Sequence, residues 1–447
     1  MEPTMPLPDL LPFDEFSRRP GARRRWPARL AVATAAAALT GLAVLAGCGG
    51  GGGDSGSSAA ASTSSGTTTS GSTAPTTTAT AATAYTEGTI TGFGSVIVNG
   101  VRFDDSSCTV VDDSGTTTTA SALKLGMRVE VSSGDVDSSA GTAKAVKVAF
   151  GSRVLGPVAA VGTTTLTVLG QTIDIVDATV FDNSSLPNGL ASVAAGTVVE
   201  VHGLPDSATG HILATRIEAV TGATAYKLRG AITALDTAAK TLSIGATAIS
   251  YGSATLSPST LALATGLVVR VTLPTTIAGQ PYAASTVSVP GRLSSSTTTT
   301  TPLPAHVRGT VANYSASAKT FTLDGLKVDA SGITTLPTGL ADGVEVDVTG
   351  TVSNSVLVAS AVTLKAEARG KDGRRFELHG AITAIDTTVK TFTLRGLTVD
   401  YSGVAASAVT PSSKTLADLA VGAKVEVKGT VNASRTQVLA TAIQFEN

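Results

Sequence analysis

The chain has 447 residues, 32 basic and 33 acidic side chains, a net charge of −1, and only 4% aromatic residues. A balance this even gives no global field to draw in nucleic acid or anionic lipid. Two cysteines, at 48 and 108, exclude a disulfide scaffold, while the length allows several small domains.

The first element is a leader over 1–47. Arginines at 18, 19, 23, 24, 25 and 29 precede an uncharged, alanine-rich run from Leu30 to Ala46. A basic region, an apolar region and small residues at a cut site make a secretory signal. The run is 17 residues, at the short limit for a membrane span, and alanine gives a weak insertion signal. It ends in Leu45-Ala46-Gly47-Cys48, which resembles the lipobox of bacterial lipoproteins. The resemblance implies that Cys48 becomes the lipidated first residue of a chain anchored in the cell envelope. With Gly49 rather than Asp next, it also implies the outer membrane, periplasmic or surface-facing, in a cell with two membranes. The remaining chain carries 26 basic and 29 acidic residues and no Trp, since Trp26 lies in the leader.

Residues 48–85 follow as a tether. Five glycines, Gly49 to Gly53, lead into Ser, Thr, Ala and Gly with no apolar period. Such composition cannot bury enough surface to fold, and as a coil it reaches roughly 35 Å. The glycine run is no phosphate loop, because no lysine or helix follows it.

Beyond the tether one small unit recurs five times, at 87–150, 154–220, 227–290, 306–366 and 377–446. A Ser/Thr/Pro linker, 291–305, precedes the fourth unit and a basic linker, 367–376, the fifth. Each unit opens on a glycine, at 88, 156, 230, 309 and 380, as in Arg229-Gly-Ala-Ile-Thr and His379-Gly-Ala-Ile-Thr. A second strip follows, such as Thr320-Phe-Thr-Leu and Thr391-Phe-Thr-Leu. A third comes after another glycine, as in Arg128-Val-Glu-Val and Lys424-Val-Glu-Val, and a last strip closes the unit, as in Val438-Leu-Ala-Thr-Ala-Ile. The strips alternate apolar and polar residues and favour Val, Ile and Thr, the period of a half-buried strand. Asn99-Gly100 and Asp324-Gly325 read as two-residue hairpins. Asp236 with Lys240, and Asp386 with Lys390, read as the turns before them.

Each unit therefore reads as three strands, a variable segment and two strands. In the last unit Leu416, Leu419 and Ala420 recur at helical spacing before a stop at Gly422, which predicts a short helix. The fold class expected is all-β: a tandem array of five small OB-like barrels behind a signal peptide and a disordered tether. Closure removes strand edges that would otherwise invite aggregation. A small open β-sandwich is the alternative.

The run from Gly88 through Asn99-Gly100 to Asp104, Leu125-Gly-Met-Arg-Val-Glu-Val and Leu213-Ala-Thr-Arg-Ile-Glu resemble the domain of unknown function numbered 5666. The likeness covers most of 87–446 and is weakest in the third unit, where Val268-Val-Arg-Val-Thr-Leu lacks the following glycine. It implies tandem envelope modules and brings no catalytic residues.

A search for chemistry finds little. His202, His211, His306 and His379 have no His or Cys nearby in sequence to complete a metal site, and read as solvent-facing strand residues. Asp104-Asp105 and Asp112-Asp113 lack calcium-loop spacing and read as loop acids. Gly92-Phe-Gly-Ser has part of a nucleophile elbow but lies between strands. Cys108, beside acids and serines, reads as a small buried apolar residue with a raised thiol pKa. Lys365 to Arg375, with Arg369, Lys371 and Arg374 offset by Glu367 and Asp372, is a basic linker. Phe103, Phe321 and Phe392 read as core.

The expectation is a non-catalytic envelope lipoprotein without cofactor or metal. Its anchor is the lipid at Cys48, and its role is spacing or binding an envelope protein. The rival is an OB array for oligosaccharide, polyanion or nucleic acid. Nucleic acid fits poorly, because such surfaces stack bases on aromatics in a basic groove.

Overall fold

The computed structural model describes residues 82–290, 302–365 and 375–446. The leader, the lipobox from Leu45 to Cys48 and most of the tether lie outside them, as do 291–301 and 366–374. Among the described residues no helix is long and apolar enough to cross a membrane.

All five units are β modules of one plan. In module 5 the opening strand Arg375–Asp386 pairs antiparallel with Thr391–Leu394, which pairs with Leu397–Asp400. That third strand runs parallel to the last, Val438–Phe445, which pairs with Lys424–Val431, and this pairs back with the opening strand. The ring is closed, in the strand order of an OB barrel. Modules 1, 2 and 4 close in the same order. In module 3 the last strand is split into Tyr282–Ala283 and Thr286–Ser288, each pairing with a different neighbour.

The two-residue period appears directly as burial. Thr165–Val168, Thr241–Ile244, Thr320–Leu323 and Thr391–Leu394 all alternate half-buried Thr or Ser with a buried apolar residue. Phe103, Phe321 and Phe392 lie in the cores. Asn99-Gly100 and Asp324-Gly325 take the left-handed φ of tight hairpins. Asp236 and Asp386 accept backbone N–H bonds in the preceding turns, closed by Lys240 and Lys390 in left-handed conformation.

Two expectations need correction. The helix over Leu416 to Ala420 is a single 3-10 turn, Leu416–Asp418, held by a capping box between Thr415 and Asp418. Between the strand at Val409–Thr410 and Gly422 there is too little chain to repay helix nucleation. Modules 1, 4 and 5 also begin earlier than their assigned edges, while module 2 opens at Val154 as expected. Ala84 and Tyr85 are buried in the first strand, module 4 opens at Leu303, and module 5 opens at Arg375 with Phe376 buried.

The barrels are not separate beads. Modules 1 and 5 share one apolar cluster, from Ile90 and Phe103 to Val427 and Ile443. Modules 2 and 3 share another, and module 4 takes Tyr85 of module 1 into its own. Backbone pairing crosses the same boundaries. Tyr85, Thr86 and Glu87 run parallel to Ala305, His306 and Val307; Gly92 and Phe93 to Glu377 and Leu378. Lys227 and Leu228 pair antiparallel with Leu155 and Val154.

Candidate functional site

The modules meet through one recurring position. The residue before each opening glycine lies opposite a residue of the fourth strand: Glu87 with Glu130, Leu155 with Glu200, Arg229 with Arg270, Arg308 with Asp347, and His379 with Glu426. These residues alternate with core residues such as Leu378, Val425 and Val427, so they point out of their own barrel. A neighbouring module then covers them. Glu87, Glu130, His379 and Glu426 are all buried.

Like charges directly opposite on paired strands are unfavourable, and modules 1 and 3 each carry such a pair. Partners resolve it, from within the barrel in module 1 and from across the junction in module 3. Arg128 Nη2 reaches Glu87 at 3.3 Å and the Arg308 carbonyl at 2.9 Å. Asp113 accepts from Lys227 Nζ at 2.9 Å and lies 3.2 Å from Arg270 Nη1. Asp324, at the hairpin tip of module 4, binds Arg153 of module 2 and Arg229 of module 3, each at 2.8 Å. Together they line a cavity of about 250 Å³ with five bases (Arg128, Lys147, Arg153, Arg229, Arg270) and five acids (Glu87, Asp112, Asp113, Glu130, Asp324). The lining therefore carries no excess of either sign.

The histidines depart from the expected solvent-facing role. His202 is fully buried and His379 is 7% exposed; His211 and His306 are partly covered. His202, His306 and His379 lie on strands, where docking of neighbouring modules covers them to differing degrees, and His211 precedes the strand Ile212–Ala219. Burial, with the Arg216 charge beside it, pushes the His202 pKa down to about 3, so the ring is neutral. His211 Nδ1 contacts Asp174 at 3.1 Å. His306 and Arg308 both bind Asp347; burial acts upward on that carboxyl, but these partners hold it well below the ordinary range. His379 stands among Glu377, Glu426 and Glu446, which sequence neighbours did not reveal.

Asp104 and Asp112 accept hydrogen bonds within their own loops, as loop acids do. Asp113 departs from that reading, because it crosses to module 3. Cys108 is partly buried, with burial and Asp105 pushing its thiol up to about 11. Gly92 and Gly94 are a contact point rather than an elbow. A Cβ at Gly92 would lie 2.1 Å from the Glu377 carbonyl oxygen, and one at Gly94 2.1 Å from His379 Cβ. Of the basic linker, Lys365 folds back to Asp347 at 3.4 Å. Arg369, Lys371, Arg374, Glu367 and Asp372 lie outside the described residues.

A signal for the joint lay in the sequence. Aligning the repeats on their glycines sets Glu87 against Glu130 and Arg229 against Arg270. Such like-charge pairs demand outside partners. The identity of those partners, Asp113 and Asp324, was not legible, because both sit on loops of other modules.

The family model described as "Domain of unknown function (DUF5666)" matches residues 87–149, 156–218, 308–363 and 379–444, which are modules 1, 2, 4 and 5. No curated protein matches. A solved structure titled "drosophila Unr CSD456" aligns at 13% identity over 51% of this chain and 99% of its own, with a TM-score of 0.13. A likeness that low bears on neither fold nor function.

Proposed function

From a chain that belongs to the DUF5666 family, matched four times in tandem over more than half its length, we propose a non-catalytic lipoprotein of the cell envelope. A lipid at Cys48 holds it to the membrane, the Ser/Thr/Gly tract spaces it, and five joined barrels present one surface to an envelope protein. In a cell with two membranes the anchor lies in the outer one. The observation that supports this most is the docking itself. Module 1 pairs strand to strand with modules 4 and 5, which follow it by more than 200 residues. A chain so folded back on itself makes a body to be positioned, and the lipobox sequence supplies the means. At the joints the outward sides of opening strands are covered by neighbouring modules, which favours a scaffold over a nucleic-acid or polyanion binder.

The test is metabolic labelling with fatty acid and mass spectrometry of the mature N-terminus. Wild type is expected to carry acyl groups on Cys48 and to fractionate with membrane, and Cys48→Ala to stay unprocessed or leave the membrane. An unlabelled wild type whose N-terminus is not residue 48 would sink the anchor.

A further inference from the structure

Four positions surround the recurring joint in each barrel: two on the opening strand, one on the fourth strand, and one just after the last strand. Modules 4 and 5 match at two of them, Arg308 with His379 and Asp347 with Glu426, and invert charge at the other two, His306 against Glu377 and Lys365 against Glu446. In module 4, His306, Arg308 and Lys365 surround the single acid Asp347. In module 5, Glu377, Glu426 and Glu446 surround the single base His379. The equivalence is structural. Arg308 lies opposite Asp347 as His379 lies opposite Glu426, and the backbone N–H groups of Lys365 and Glu446 bond the carbonyls of Glu345 and Lys424 in the same way.

We propose that module 5 holds a divalent transition-metal ion of the zinc type. Its ligands are His379 Nε2 and the carboxylates of Glu377 and Glu426, and Glu446 orients the imidazole. The three ligand atoms lie within 4.8 Å of one another. Nε2 is 2.9 Å from Glu377 Oε1 and 3.9 Å from Glu426 Oε2. A tetrahedral zinc with bonds of about 2.0–2.1 Å has ligand-to-ligand edges of about 3.3 Å, a value between those two. The other ring nitrogen, Nδ1, lies 2.6 Å from Glu446 Oε1. Metal-bound histidines almost always donate their second N–H to such an outer carboxylate, which fixes the tautomer and turns the lone pair to the ion.

The position is rigid. His379 sits on the closed ring of the barrel, and its Cβ packs on the backbone of Gly94 of module 1. Two bases compete for the carboxylates, Arg102 on Glu377 and Lys428 on Glu426. Their side chains are 40% and 58% exposed, so both can swing into water when an ion enters. Arg395 bonds the His379 carbonyl at 3.2 Å and leaves the ring free. Three protein ligands leave the fourth tetrahedral position to water.

The rival state is an imidazolium donating one N–H to Glu377 and the other to Glu446. Zinc titration separates the two. Full-length protein in detergent is stripped with chelator and titrated with Zn²⁺ by calorimetry, with zinc counted after gel filtration. One ion per chain is expected, with protons released if the ring is charged beforehand. His379→Gln and Glu426→Gln should each weaken binding at least tenfold, and Glu446→Gln about tenfold. His211→Gln, in module 2, should leave it unchanged. If His379→Gln fails to fold by circular dichroism, Glu377→Gln, at a side chain 28% exposed, carries the test. No stoichiometric zinc, or equal affinity in wild type and Glu426→Gln, overturns the proposal and leaves an imidazolium clamped by carboxylates.

Discussion

Asp324 joins three modules through one carboxylate. It projects from the hairpin of module 4, and its two oxygens meet Arg153 and Arg229. The side chains of Arg153 and Asp324 are 5% and 8% exposed, so neither charge falls back on water. Removing one partner of a buried pair leaves the other uncompensated, at a cost of about 3–5 kcal/mol. Asp324→Asn should therefore lower the denaturation midpoint and loosen modules 2, 3 and 4 together. An unchanged midpoint would mean that the cluster is solvated enough to be silent. Asp182 tests the same physics by pH. Burial acts upward on its carboxyl, but Ser184 and the Arg216 guanidinium hold it at about 2, below an ordinary 3.8. The folded form thus keeps its charge where the unfolded form has taken up a proton. The stabilisation is full above about pH 5 and is lost as pH falls through about 2. Urea unfolding across that range should show wild type losing its advantage over Asp182→Asn toward the acid end. A gap constant with pH would contradict the assignment.

Strands were the most legible elements, and joints the least. Thr391-Phe-Thr-Leu announces its own burial, because a strand with one face in the core must alternate. Asn99-Gly100 announces its turn, because both residues need positive φ. Leu169-Gly170 and Arg395-Gly396 form equivalent turns with no such signature, since neither Leu nor Arg favours that conformation. The helix misread at Leu416 shows the limit of periodicity over a few residues: Leu419 is buried, but one 3-10 turn suffices to bring it there. The His379 cluster stayed hidden because its members come from the two ends and the fourth strand of a closed ring. The barrel also bends at fixed points. Registers slip between Thr349 and Gly350, and between Lys428 and Gly429. A Cβ at Gly350 would sit 2.0 Å from the Val358 carbonyl oxygen, which is backbone and cannot move aside. Gly350→Ala should destabilise module 4 by about 1–3 kcal/mol, the usual cost of overpacking. Thermal unfolding measures it, and a neutral result would mean the bulge can shift register.

At the scale of the whole molecule, chain order and spatial order differ. Module 1 is followed in sequence by module 2, yet it shares its apolar core with module 5 and its strand edge with modules 4 and 5. Repetition in the sequence made five barrels legible, but a repeat does not say which copy docks on which. That choice lies in differences between copies: Tyr85 entering the core of module 4, Gly92 and Gly94 admitting the opening strand of module 5, and the opposed charges at the joint. A small barrel alone is marginal, so shared cores make each module's stability depend on its neighbours. The most direct measurement is hydrogen–deuterium exchange of the strand Ala84–Phe93 in the full chain and in a chain ending at Lys365. If the barrels form one docked body, loss of module 5 uncovers Phe93 and the Gly92–Glu377 pairing, and amide protection at that end of the strand falls sharply. Unchanged protection would mean that module 5 is not docked on module 1, and would contradict the shared core.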